Sequence, residues 1–118
     1  MKERTIVKNI LRYLNNLEEC HARKIFSSNF TANLPDIFCC FRGRAVILEV
    51  KRPGQKLTKL QDVELRRWLD AGGSASRVDC VEDVKAIIRE ITEDQEADDD
   101  ILRLHLGLSY DLGYGIIK

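Results

Sequence analysis

Apolar residues Ile6, Ile10, Leu14 and Leu17, with Val7, Leu11 and Tyr13 widening the stripe, recur at helical spacing and predict about four turns of helix over residues 3–18. The pattern then breaks. His21 to Phe26 suit a short edge strand, and Ser27 to Asn33 read as a polar loop. Two short runs rich in Ile, Val and Phe follow, IFCCF and AVILEV, separated by Arg42-Gly43, and these predict a β-hairpin. After the Pro53-Gly54 turn, Thr58 is positioned to cap a helix that runs to about Ala71 and stops at Gly72-Gly73, with Leu57, Leu60, Leu65, Trp68 and Leu69 facing inward. Ala75 to Val81 read as a further strand. Glu82 to Ile91 read as an amphipathic closing helix with Val84, Ile87, Ile88 and Ile91 inward. The acidic stretch EDQEADDD, residues 93–100, reads as a solvated linker. Beyond it Leu104, Leu106, Leu108, Tyr110, Leu112, Tyr114 and Ile116 alternate with polar or small residues, the period of a strand pair or of an arm that packs on a partner subunit.

These elements amount to one domain over residues 1–92, followed by an acidic linker and C-terminal extension over 93–118. A chain of 118 residues with 44% apolar content can bury a core without disulfides or structural metal. No apolar run approaches the roughly 20 residues of a membrane span. The opening MKERTIVKN has no apolar stretch of a secretion signal, so the expected location is cytoplasmic, with no membrane partner. Cys20, Cys39, Cys40 and Cys80 have no CxxC or Cys/His ligand spacing and read as reduced core or boundary residues.

The net charge is zero, which at first argues against nucleic acid, but the charges are segregated. Residues 1–67 hold 14 Lys and Arg against 7 Asp and Glu, a net of +7, and residues 68–118 hold 5 against 12, a net of −7. The basic half is suited to a phosphate backbone, or it is ordinary mixed surface charge.

Ionisable residues within the apolar runs carry more information. With Arg42-Gly43 as a two-residue loop, Phe41 pairs with Arg44 and Asp36 lies directly opposite Glu49, their Cβ atoms about 4.5–5.5 Å apart. Like charges there are destabilising unless something positive lies between them. Lys51 shares the face of Glu49, because strand side chains two apart point the same way. Another loop length would make the acids diagonal neighbours or send one to the other face. Glu3 falls within about 20° of the centre of the first helix's apolar stripe. It is either a first-turn carboxylate favoured by the helix dipole or an acid directed at a site beneath the helix, and periodicity alone favours the first. Gln61 is a polar residue on the apolar face of its own helix, and a backbone hydrogen bond would account for it.

Two opposed carboxylates offer hard oxygen ligands suited to Mg²⁺ or Mn²⁺. Such an ion would relieve their repulsion and lower the pKa of a bound water, and Lys51 could orient that water or steady a charged phosphoryl transition state. A plain Lys51–Glu49 salt bridge explains the lysine equally well, but not why Asp36 should face the same spot.

Pro35-Asp36, followed by Glu49-Val50-Lys51, resembles the PD-(D/E)xK nuclease signature. With the hairpin Gly43, Pro53-Gly54, Leu57-Thr58 and Gln61, the stretch resembles the VRR-NUC (virus-type replication-repair nuclease) family in its compact phage and bacterial form, over about residues 3–91. Asn33-Leu34 stands where that family usually has a Gly before the Pro-Asp pair, and nothing from residue 93 onward matches it. The resemblance implies a restriction-endonuclease-like α/β fold, a mixed central sheet flanked by helices, and a Mg²⁺- or Mn²⁺-dependent DNA endonuclease. It implies Asp36 and Glu49 as metal ligands with the Val50 carbonyl beside them, Lys51 as the catalytic lysine and a site role for Gln61, and it raises Glu3 to a metal-site residue. It further implies a homodimer acting on branched DNA such as four-way (Holliday) junctions. Arg23, Lys24, Arg52, Lys56 and Lys59 are then candidate phosphate contacts, with Lys2, Arg4, Arg66 and Arg67 also available. The alternative is an inactive DNA-binding or assembly module of the same fold.

Overall fold

The computed structural model describes residues 1–26 and 33–106. In chain order these form α1 (Glu3–Asn15), β1 (Cys20–Lys24), β2 (Ile37–Phe41), β3 (Arg44–Val50), α2 (Lys59–Asp70), β4 (Ser74–Val78) and α3 (Val81–Leu106). The chain divides into two units, Met1–Lys85 and Ala86–Lys118.

In the first unit the four strands form one sheet in the order β1-β2-β3-β4. β1, β2 and β3 are antiparallel neighbours, whereas β4 runs parallel to β3 and is reached through α2, so the sheet is mixed. β3 is central in chemistry as well as position. Val46, Ile47, Leu48, Glu49 and Val50 are all buried, so both faces of the strand are covered. That is why this segment is a near-continuous apolar run rather than an alternating one. α1 buries Ile6, Val7, Ile10 and Leu14 and lies against β1 and β3, and α2 lies against β3 and β4.

The β2–β3 register is the expected one, Phe41 opposite Arg44 and Ile37 opposite Leu48. Its lock is the turn. Arg42 and Gly43 both take positive φ, 49° and 80°, the mirror-image two-residue turn whose twist matches that of the strands it joins. The outer edge of β1 is partly covered from α1. The Asn15 amide donates to the Ala22 carbonyl at 3.0 Å and its oxygen accepts from the Ala22 N–H at 2.9 Å, so one side chain satisfies both backbone groups of an edge residue. α2 begins with a capping box in which Thr58 and Gln61 exchange side-chain and backbone hydrogen bonds.

Three expectations from the pattern of the chain are corrected. α2 buries only Leu65 completely, and Leu60 and Leu69 are 61% and 48% exposed, because the helix meets β3 and β4 along a narrower stripe than its apolar content suggests. β4 ends at Val78 rather than at 81, because Asp79 and Cys80 lead into α3, where the Asp83 carboxylate accepts from the Asp79 N–H at 3.0 Å. The acidic stretch 93–100 is helical, as are Leu104 and Leu106, since α3 continues to Leu106. The interval Val81–Leu106 contains no Gly or Pro, and its Glu and Leu residues favour helix, so a charged sequence without a breaker continues as helix. The Ser27–Asn33 loop, apart from Asn33, and the alternating residues from Leu108 onward lie outside the described residues.

Replacing Gly43 by Val is expected to destabilise the first unit by about 1–2 kcal/mol, the cost of a side chain in the left-handed region. Urea denaturation of the two proteins measures it, and equal midpoints would show that the turn does not hold the register.

Candidate active site

The acids meet where β2 begins and β3 ends. Asp36 sits one residue before β2 but is already tied into the ladder, its N–H donating to the Leu48 carbonyl at 3.0 Å and its carbonyl accepting from the Ile25 N–H at 2.8 Å. The preceding turn contains Asn33 at φ 71°, a left-handed conformation that Asn tolerates better than most residues. Continuing the register one step beyond Ile37–Leu48 places Asp36 opposite Glu49, and the two carboxyl groups hydrogen-bond to each other. Glu49 is 5% exposed, the sole charged-type residue among the buried side chains described.

Each acid is shifted in its own direction. Burial pushes Glu49 up, and its hydrogen bond with Asp36 and the negative charges of Asp36 and Glu3 push it further, to about 8, against a partial offset from Lys51. Burial also raises Asp36, but hydrogen bonds from Glu49, from Lys24 and from the Val50 N–H outweigh it and hold this carboxyl below its ordinary value. Without metal, then, the two acids are too close to ionise together, and the pair retains a proton, with the shifts favouring its residence on Glu49.

The surroundings of Asp36 are fully engaged. Its Oδ2 accepts from the Val50 N–H at 2.8 Å, and its Oδ1 accepts from Lys24 Nζ at 2.8 Å. Lys24, read from sequence as a phosphate contact, is therefore part of the acid cluster. The signal was available: Lys24 pairs with Ile37 in the β1–β2 register, next to Asp36, but only once β1 is known to lie against β2. Lys51 lies near enough to Glu49 to lower its pKa, and its N–H donates to the Val78 carbonyl at 2.9 Å, so β4 fixes the backbone that carries it. Glu3, in the first turn of α1, acts on Glu49 through its charge and shares with Lys24 the wall of a groove of about 500 Å³ that also includes Val7, Leu11 and Phe26.

Gln61 has a different primary engagement. Its Oε1 accepts from the Thr58 N–H at 2.9 Å in the capping box, so the polar residue on the apolar face is accounted for by the helix start. Arg23, Arg52, Lys56 and Lys59 are exposed. Arg77 was not singled out by sequence reasoning, yet it shapes the loop after Lys51. Its guanidinium donates to the Gln55 carbonyl at 2.8 Å, to the Arg52 carbonyl at 3.1 Å and to Asp79 Oδ2 at 3.0 Å. No periodicity marks such a residue, because its partners are backbone carbonyls more than twenty positions away.

Asp36 and Glu49 fit a hard divalent cation on chemical grounds. Two opposed carboxylates that must otherwise share a proton are oxygen ligands in need of positive charge. A second group, Asp79, Cys80 and Asp83, has ligand-type atoms within 4.8 Å of one another. Its acids already serve Arg77 and the start of α3. Burial holds the Cys39 thiol well above its ordinary pKa, and Cys39 Sγ lies 3.4 Å from Cys20 Sγ with both cysteines free.

The fold is that of VRR_NUC domains, a restriction-endonuclease-like mixed sheet flanked by helices. A solved structure described as a VRR_NUC domain superposes with a TM-score of 0.55 at 23% identity, covering 73% of this chain and 89% of the other. A second, described as a VRR_NUC domain protein, gives a TM-score of 0.60 at 15% identity over 75% of this chain and 86% of the other. No protein-family model matches the sequence, and no curated protein matches it. The chain is thus a nuclease-fold domain, and at these identities the likeness is one of architecture. No helix among the described residues is long and apolar enough to cross a membrane.

The raised Glu49 has a thermodynamic consequence. A carboxyl whose folded pKa lies above its unfolded value contributes stability that is present below about pH 4.5 and is lost as the pH rises through about 8. In EDTA, the unfolding temperature of the wild type is expected to fall between pH 5 and pH 8 by at least ~4 °C, the shift that 1 kcal/mol produces in a domain of this size. Glu49→Gln should flatten that slope; parallel profiles for the two proteins would refute the proton-sharing pair.

Proposed function

We propose that the chain is a VRR-NUC-type, divalent-metal-dependent DNA endonuclease that hydrolyses phosphodiester bonds. The observation that carries this reading is the direct contact of the Asp36 and Glu49 carboxyls, with Lys51 two residues further along β3's path. An inert hairpin gains nothing from burying two acids against each other, since the pair is tolerated only by holding a proton.

Asp36, Glu49 and the Val50 carbonyl would hold Mg²⁺ or Mn²⁺, with Glu3 adding negative charge from α1. Bound there, the ion supplies Lewis acidity and a water of lowered pKa. Lys51 is assigned to orient the attacking water and to balance charge on the phosphoryl oxygens in the transition state. Gln61 is assigned a further site role at the start of α2, where its side chain is held by the capping box. Arg23, Arg52, Lys56 and Lys59 are assigned to the DNA backbone, where they would supply affinity without base specificity. The preferred substrate is branched DNA such as a four-way junction. A homodimer would suit it by placing two symmetry-related sites on two strands. The nuclease function is assigned to residues 1–92, and the extension beyond them has no assigned role.

Incubating the protein with four-way-junction and linear DNA in Mn²⁺, Mg²⁺ or EDTA tests the reading. Cleavage is expected with either metal and not in EDTA. Asp36→Ala is expected to abolish it, and Lys51→Ala to slow it by roughly 10²-fold or more. Cleavage that persists in EDTA, or survives Asp36→Ala, would contradict the metal site. DNA binding with no cleavage in either metal would identify an inactive binding module instead.

A further inference from the structure

We propose that Lys24 is an exchangeable internal cation. Its ammonium takes the place of the divalent ion on Asp36 in the metal-free protein and is displaced when the metal binds. The inference rests on the nuclease reading and adds a residue to it that the PD…ExK pattern does not contain.

The geometry is direct. Lys24 Nζ lies 2.8 Å from Asp36 Oδ1, and the two side chains are 28% and 15% exposed. Asp36 has no idle oxygen facing the acid pair, because Oδ2 is held by the Val50 N–H and Oδ1 by Lys24, while Glu49 hydrogen-bonds to the same carboxylate. The Val50 N–H belongs to the sheet backbone and cannot be withdrawn without breaking β3. Lys24 is on a flexible four-carbon stem and can leave at the cost of one ion pair. It also has a second contact in the same position. Its Nζ is 5.7 Å from the centroid of the Phe26 ring, and both residues line the groove that holds Glu3. In the metal-free state the ammonium offsets the negative charge of a carboxylate that is only 15% exposed. With a metal bound, the released ammonium would be free to pair with a phosphate.

A purely structural lysine and an exchangeable one predict opposite effects on metal affinity. If Lys24 only orients Asp36, removing it disorders a ligand and weakens binding. If it competes for Oδ1, removing it strengthens binding. The measurement is the half-saturating Mn²⁺ concentration in a thermal-unfolding titration at fixed pH and ionic strength, with no DNA present. Lys24→Met retains the apolar stem and is expected to lower the metal-free unfolding temperature while moving half-saturation about fivefold toward lower Mn²⁺, the size of one partly exposed ion pair. Lys24→Arg strengthens the carboxylate pairing and is expected to move half-saturation the other way, so the idea remains testable even if the Met variant does not fold. Half-saturation that is unchanged or higher in Lys24→Met, or unchanged or lower in Lys24→Arg, overturns the exchange. A wild type whose unfolding temperature does not respond to Mn²⁺ removes the metal site itself, and the exchange with it.

Discussion

The contact between Asp36 and Glu49 is the constraint from which the site follows. It places two acids side by side on a sheet whose central strand is covered on both faces, where neither can be fully solvated. Three features reduce that electrostatic cost, against the added negative charge of Glu3. Glu49 keeps a proton, the Val50 N–H donates to Asp36, and Lys24 brings a positive charge from β1. A one-residue slip in the hairpin would separate the acids onto opposite faces, so the Arg42-Gly43 turn belongs to the site as much as the carboxyls do.

The two sides of the sheet are held by different kinds of contact. β3 and β4 are parallel, and β4 holds the Lys51 backbone through Val78 while Arg77 ties the following loop to itself. The first contact joins two main-chain groups, and in the others the Arg77 guanidinium donates to main-chain carbonyls. On the other side, β1 is an edge strand steadied by Asn15, and it presents Lys24 on a long stem next to a groove. Under the proposed nuclease reading, a centre that accepts an ion and a phosphate would be well served by having Lys24 on the edge strand and the Val50 backbone in the middle of the sheet.

The two halves of the chain differ in how far local pattern could describe them. Within residues 1–85 the helix over Ile6–Leu14, the hairpin, the Thr58 cap and the Gly72-Gly73 stop were all legible, because each depends on residues close in sequence, whereas the hairpin's register followed only for a two-residue loop. The acidic stretch after Ile91 was not. Its charge density suits a solvated linker and a solvated helix equally, and the absence of Gly and Pro decided in favour of helix. Leu60 and Leu69 show the same limit, since apolar character marks a helix face without saying how wide a stripe the neighbouring sheet will cover.

By itself the sequence determined a hairpin in which Lys51 shares the face of Glu49, and in which Asp36 faces Glu49 if the loop has two residues; the structure settled that loop, with Arg42 and Gly43 both at positive φ and Phe41 opposite Arg44. Tertiary structure alone decided which cation reaches Asp36. Lys24 is twelve residues away in the chain, across a segment with no period of its own, and only the lateral pairing of β1 with β2 brings its ammonium to the carboxylate. Tertiary structure also committed the Gln61 amide oxygen to the start of α2, and it gave Arg77 its role through carbonyls more than twenty residues away. Local periodicity specifies which face a side chain occupies, whereas its partner on that face depends on which strands become neighbours, and that is a property of the assembled sheet.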